Sequence, residues 1–244
     1  MRLTDAIRRQ RSGPERQEPK PTGSRPDRTG LGVLDVSCDD VPVSSAGPTL
    51  AELIKATAGH FPLESGHHGS VWLDLDVLFL RPGQVEPFLQ QLALRIARHD
   101  VEAVCGPLTG GAFTAQWVAR ELDLLFLYSA PTPAPTPTPA PTTAMYSRTY
   151  TIPQSLARAA GARRVAVVDD VINAGSATRA TVTALRAAGA RVIVAGALLG
   201  LGDVGTELMT RDGVPLELVE SWAHPIWSPA QCPLCADGVP LDGI

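Results

Sequence analysis

Short apolar runs alternate along this chain with segments of helical period, and the alternation predicts an architecture. The clearest run is Val165, Ala166, Val167 and Val168, which follows the basic pair Arg163 and Arg164. A continuous apolar run of that length reads as a strand covered on both faces. It ends in Asp169 and Asp170, passes through Val171 and Ile172 to the small residues Asn173, Ala174 and Gly175, and enters a helical segment over residues 176–188. The same order occurs upstream. Residues 101–105 read as a strand, Gly106 to Gly111 as a loop, 113–122 as a helix and 124–128 as a third strand. Downstream come a strand at 191–198, a short helix at 204–210 and a last strand at 215–219. An earlier helix over 84–99 carries Val85, Phe88, Leu92, Ile96 and Ala97 on one face. Repeated strand–helix–strand units predict a doubly wound α/β domain, a mostly parallel sheet with helices on both faces.

Other stretches lack this pattern. Residues 1–46 have no periodicity and are rich in Arg, Pro, Gly, Ser and Asp, so a disordered tail is expected there, with the domain proper over 47–244. Such a tail is either dispensable, or the product of an upstream start codon, or a basic arm. Thr49 with Glu52 three residues later forms a capping box, and Leu50, Leu53, Ile54 and Ala58 predict one apolar helical face. A Gly-rich turn containing His67 and His68 then leads to a strand at 72–75. Residues 130–144 alternate Pro with Thr and Ala, which forces extended backbone and forbids a packed element, so this stretch reads as a loop inserted within the domain, an interdomain linker being the competing reading.

Composition narrows the class. The 244 residues, 44% of them hydrophobic, suffice for one α/β core with appendages. No apolar run is long enough to span a membrane and the charged N-terminus does not read as a signal peptide, so a cytoplasmic protein without membrane partners is expected. Residues 1–30 hold eight of the 21 basic residues and four of the 25 acidic ones, leaving 13 basic against 21 acidic and a balance of −8 elsewhere. That balance argues against nucleic-acid binding. Four unevenly spread cysteines are no disulfide framework. Cys232 and Cys235 form a Cys-x-x-Cys without a second pair, read as reduced, packed cysteines; as half a zinc site it would need His224 with Cys38 or Cys105.

The chemistry concentrates at residues 169–177. Carboxylates at the end of a parallel strand face a crevice, where they accept hydrogen bonds from sugar hydroxyls or hold a hydrated Mg2+. A small-residue loop at a helix N-terminus turns backbone N–H groups on an anion, and the Ser176 and Thr178 hydroxyls are expected to help hold a phosphate. No G-x-x-x-x-G-K-[ST] pattern is present. The run Asp169-Asp170-Val171-Ile172-Asn173-Ala174-Gly175-Ser176-Ala177 resembles the phosphoribosyl-pyrophosphate (PRPP) motif of the type I phosphoribosyltransferases, in the form most similar to orotate phosphoribosyltransferases. The resemblance implies Asp169 and Asp170 at the ribose, as the catalytic pair, and Asn173, Ala174, Gly175, Ser176 and Ala177 at the 5′-phosphate. Gly106, Thr109, Gly110 and Gly111 resemble the same family's pyrophosphate loop. The likeness implies Mg2+-dependent transfer of phosphoribose from PRPP to a nucleobase with release of pyrophosphate. It also implies Mg2+ held through PRPP near Asp169 and Asp170 rather than by direct protein ligands, and a homodimer.

Three departures from the family bear on function. Glu64 stands just before Ser65-Gly66, where the family carries an orotate-binding lysine. The Pro/Thr stretch replaces a hood with basic catalytic residues, and the acceptor-binding arginine after the fifth strand is missing from residues 198–207. The only lysines are Lys20 and Lys55. His67 and Arg148 are the candidate acceptor-side or hood cations. Two further functions therefore stay open: a PRPP-sensing regulator without catalysis, and a phosphoribosyltransferase for a neutral purine or pyrimidine base.

Overall fold

The computed structural model describes residues 48–132, 145 and 148–243. The predicted tail, and the Pro/Thr stretch beyond residue 132, lie outside the described residues.

Helix α1 (Leu50–Leu53) opens the described chain. Its capping box forms as expected: Thr49 Oγ1 accepts from the Glu52 N–H at 3.3 Å, and Glu52 Oε2 accepts from the Thr49 N–H at 2.7 Å. The helical face predicted through Ala58 does not form. Ile54 is already extended, with φ −101° and ψ 123°, and residues 55–62 become β1 (Lys55–Pro62). The reason lies across the chain. β1 pairs antiparallel with β2 (His68–Asp74), from Lys55 opposite Asp74 to Pro62 opposite His68, and this ladder outweighs a weak helical period.

Helix α2 (Pro82–Ile96) turns Val85, Phe88, Leu92 and Ile96 inward as its periodicity requires. The alternation then runs β3 (Ala103–Pro107), α3 (Gly110–Leu122), β4 (Leu125–Pro131), β5 (Tyr150–Thr151), α4 (Gln154–Ala160), β6 (Arg164–Ile172), α5 (Ser176–Ala187), β7 (Arg191–Leu201), α6 (Val204–Arg211) and β8 (Leu216–Trp222). The chain returns to the small sheet with β9 (Ile226–Trp227), which pairs with β2, and closes in α7 (Pro233–Ala236). The large sheet has strand order β5-β4-β3-β6-β7-β8, parallel throughout except for β5.

Val165 to Val168 of β6 are fully buried, as a central strand covered on both faces must be. Alternation along the strands sorts the core. Cys105, Val165, Val167 and Ala195 meet Ala160 of α4, Val182 and Leu185 of α5 and Met209 of α6. On the opposite face Gly196 of β7 lets Leu92 and Ile96 of α2 come so close that an added Cβ would lie 3.0 Å from each. The doubly wound expectation holds. The additional three-stranded sheet β1-β2-β9 and helix α4 were not foreseen.

Candidate functional site

β3 and β6 are parallel neighbours, with Ala103 opposite Val165 and Cys105 opposite Val167, so their carboxyl ends share one edge of the sheet. The loops after them meet there. Asp169 is 6% exposed: its Oδ1 accepts from the Asp170 N–H at 3.1 Å and its Oδ2 from the Thr178 hydroxyl at 3.0 Å. Asp170 is half-buried and accepts from the Val171 N–H at 2.8 Å. Burial pushes both carboxyls above their ordinary range, and for Asp169 the neighbouring Asp170 pushes further.

The glycine loop roofs this pair. A Cβ on Gly110 would collide with the Asp170 carboxylate, one on Gly111 would stand 2.5 Å from Asp169 Oδ1, and one on Gly106 would strike the Gly111 carbonyl. These glycines are therefore required by close approach, whatever they bind. Thr109 precedes α3 without making a capping bond, and with Gly110 and Gly111 it faces the cleft.

On the other side, Gly175 takes φ +71° to start α5, a backbone that an L side chain rarely adopts. Asn173, Ala174, Gly175, Ser176, Ala177 and Thr178 all line the same cleft. Asn173 Oδ1 is buried without a protein partner, an unmet acceptor in the loop. The Thr178 hydroxyl, expected at a phosphate, donates instead to Asp169, so it orients the acid pair. Ser176 keeps its place at the helix N-terminus.

The cleft encloses about 640 Å³. Its far wall is the turn between β1 and β2, Leu63 to Ser65, with Trp72 to Asp76; Tyr150 and Leu201 complete it. Glu64, itself exposed, lines the cleft and accepts a 3.2 Å bond from the Tyr150 hydroxyl. Burial and this carboxylate raise the Tyr150 pKa, keeping the phenol neutral. Glu64, Asp74, Asp76, Asp169 and Asp170 give the lining five carboxylates and, among the described residues, no Lys or Arg.

The candidate acceptor-side residues are not brought in. His67 is buried, its Nδ1 is within 3.0 Å of Ser65 Oγ, and burial with the adjacent His68 lowers its pKa toward the neutral form. It does not line the cleft, and neither does Arg148, which is exposed. Among the described residues, neither His224 nor Cys105, the partners the sequence suggests for a zinc site, joins the Cys-x-x-Cys. Cys105 is buried in β3, Cys38 lies outside the described residues, and the side chains near Cys232 and Cys235 are His60 and His68.

No helix among the described residues is long and apolar enough to cross a membrane. No family model matches the chain. It is 27% identical to the orotate phosphoribosyltransferase of Caldanaerobacter subterraneus over 183 residues, 75% of this chain and 86% of that one. With the orotate phosphoribosyltransferase of Thermotoga maritima the identity is 28% over 184 residues, 75% and 88% of the two chains. The crystal structure of orotate phosphoribosyltransferase from Aeropyrum pernix superposes with a TM-score of 0.51 at 28% identity, covering 68% of this chain and 87% of that one. That of adenine phosphoribosyltransferase from Thermoanaerobacter pseudethanolicus gives 0.55 at 17% identity, covering 70% and 96%, a likeness of fold alone. In sequence and fold the chain thus resembles the type I phosphoribosyltransferases, and in sequence it is similar to orotate phosphoribosyltransferases.

Proposed function

We propose that this chain, an enzyme of the phosphoribosyltransferase kind by sequence and fold, transfers the 5-phosphoribosyl group of PRPP to an uncharged nucleobase and releases pyrophosphate. One observation carries the reading. The glycine loop lies directly against the acid pair, because the Cβ positions of Gly110 and Gly111 are occupied by the carboxylates of Asp170 and Asp169, and residues 173–177 line the same cleft.

In this reading the reaction breaks the bond from ribose C1 to pyrophosphate and forms one from C1 to a base nitrogen, whose proton leaves with the pyrophosphate or passes to water. Positive charge grows on the ribose ring as the leaving group departs. Asp170 is the carboxylate that balances it, and Asp169, held by Thr178, accepts from a ribose hydroxyl. Backbone amides at Gly110 and Gly111, with Thr109, face the pyrophosphate, while Asn173, Ala174, Gly175, Ser176 and Ala177 at the start of α5 take the 5′-phosphate. The lining suits a hard divalent cation, since oxygen donors abound and no basic side chain competes. Mg2+ bound with PRPP near Asp169 and Asp170 would neutralise charge on the pyrophosphate.

The acceptor reading rests on Glu64. Orotate is an anion, and an exposed carboxylate facing it costs at most about 1 kcal/mol once solvent screening is counted. Each missing charge-assisted hydrogen bond forfeits roughly 1.5–3 kcal/mol. Together these weaken orotate by roughly two to five orders of magnitude relative to a site with two cations. Pyrophosphate release should be followed with PRPP, Mg2+ and a panel of orotate, uracil, adenine, guanine and hypoxanthine. A neutral base is expected to turn over faster than orotate. Micromolar KM and ordinary turnover with orotate would overturn the acceptor assignment. The absence of basic side chains from the described cleft also favours a second reading, a PRPP sensor, which the same assay separates: PRPP binds, yet no base releases pyrophosphate.

A further inference from the structure

The four side chains His60, His68, Cys232 and Cys235 converge far along the chain from the cleft motifs. Their ligand atoms all lie within 4.8 Å of one another. His60 Nε2 is 3.1 Å from His68 Nδ1 and 3.4 Å from Cys232 Sγ; Cys235 Sγ is 3.7 Å from His60 Nε2 and 3.3 Å from His68 Nδ1. A tetrahedral zinc with Zn–N of about 2.0–2.1 Å and Zn–S of about 2.3 Å sets its ligand atoms roughly 3.3–3.8 Å apart. These four spacings match that range to within a few tenths of an ångström, and the remaining two pairs lie within 4.8 Å.

The surroundings orient the ligands. His60 Nδ1 lies 2.9 Å from the Val239 carbonyl, which accepts only if Nδ1 carries the proton, so the Nε2 lone pair is left for a metal. The His60 N–H donates to Asp242 Oδ2 at 2.8 Å, and its carbonyl accepts from the Asp242 N–H at 2.7 Å. Three bonds from the C-terminal segment thus fix one histidine. His68 is fixed from its own backbone, opposite Trp227 in the β2–β9 pairing. His60, His68 and Cys232 are 1%, 8% and 3% exposed. Two neutral imidazoles and two thiolates are the donor set that selects zinc over Mg2+ or Ca2+.

We infer that His60, His68, Cys232 and Cys235 form a structural zinc site that fastens the C-terminal Cys-x-x-Cys segment to the β1–β2 hairpin. Four protein ligands leave no open position, so the metal is structural rather than catalytic. The small sheet it closes has little core of its own, with Phe61 among its few buried apolar residues, and a metal staple supplies what burial does not. The hairpin carries Glu64 and Ser65 into the cleft wall, so the zinc holds one side of the candidate active site in place without touching it.

The test begins with the full chain purified without chelator or metal-affinity resin. Elemental analysis is expected to find about one zinc per chain, and Co2+ exchanged into the site is expected to give the intense ligand-field bands of a tetrahedral centre with thiolate-to-cobalt charge transfer. Removing zinc with a strong chelator should lower the melting temperature by roughly 5–10 °C, and adding Zn2+ back should restore it. Cys235→Ser and His68→Asn should each lose the bound metal. Wild-type protein that holds no zinc as isolated and takes up none from added Zn2+ would overturn the inference, as would a cobalt spectrum without thiolate charge transfer. Because these readouts concern metal content and the spectrum of wild-type protein, they stand apart from PRPP binding and from whether any variant folds.

Discussion

Asp170 concentrates the energetics of the site in one residue. Its carboxyl and that of Asp169 are raised by burial, so folding makes both harder to ionise. Their contribution to stability is therefore fully present below the ordinary carboxylate pKa of about 4 and is lost as pH rises through the raised folded values. At neutral pH the ligand-free pair is a liability that a cation or ribose hydroxyls relieve. Asp170→Asn keeps an oxygen for the Val171 N–H and removes one of the two charges. This variant should melt higher than wild type at pH 7–8, by about 2–4 °C for each kcal/mol relieved, and the gap should close toward pH 4. Its PRPP affinity should fall roughly tenfold to a hundredfold, the worth of a charge-assisted bond. Calorimetric titration and melting curves check both; unchanged PRPP affinity would remove Asp170 from the proposed site. The meeting of Asp169 and Asp170 with the three glycines was legible in the sequence because both segments directly follow buried runs that read as neighbouring parallel strands. The Thr178 hydroxyl was misplaced, since only the folded helix shows that it points at Asp169.

Elements set how firmly the loops are held. Gly205, the second residue of α6, lies against the loop before α5: an added Cβ would collide with the Asn173 carbonyl and stand 2.7 Å from Ile172 Cγ2. Backbone cannot yield as a side-chain tip does. Gly205→Ala should therefore cost about 1–3 kcal/mol and raise the KM for PRPP, because the loop proposed for the 5′-phosphate must shift. Gly83, at the start of α2 with nothing near its Cβ position, supplies the control. Gly83→Ala should leave KM unchanged and melt no lower than wild type. Equal kinetics in the two variants would show that α6 does not position the loop. The α/β elements were readable because buried parallel strands and amphipathic helices write their periods into five to fifteen residues. β1 was misread as helix because its partner β2 lies beyond the window in which a period is visible.

At the scale of the molecule, charge and connectivity matter most. Five carboxylates line one cleft, and among the described residues no Lys or Arg lines it with them. PRPP is itself highly anionic, so its binding should depend steeply on a divalent cation. Removing Mg2+ with EDTA is expected to weaken PRPP at least about a hundredfold, two charge-assisted contacts' worth. Isothermal titration in Mg2+ and in EDTA decides it: equal affinity would mean that cations outside the described lining do the neutralising. The sequence by itself determined the doubly wound sheet, the two small-residue loops and the acid pair, because each is written locally in residues that are neighbours in the chain. Tertiary structure alone decided that Glu64 enters the cleft while His67 and Arg148 do not. It alone brought His60 to Cys232, 172 residues away, and to Asp242, 182 residues away. A Cys-x-x-Cys states that two ligands exist, but its partners are chosen by which strands pair, and strand pairing is a property of the whole chain's burial rather than of any local period.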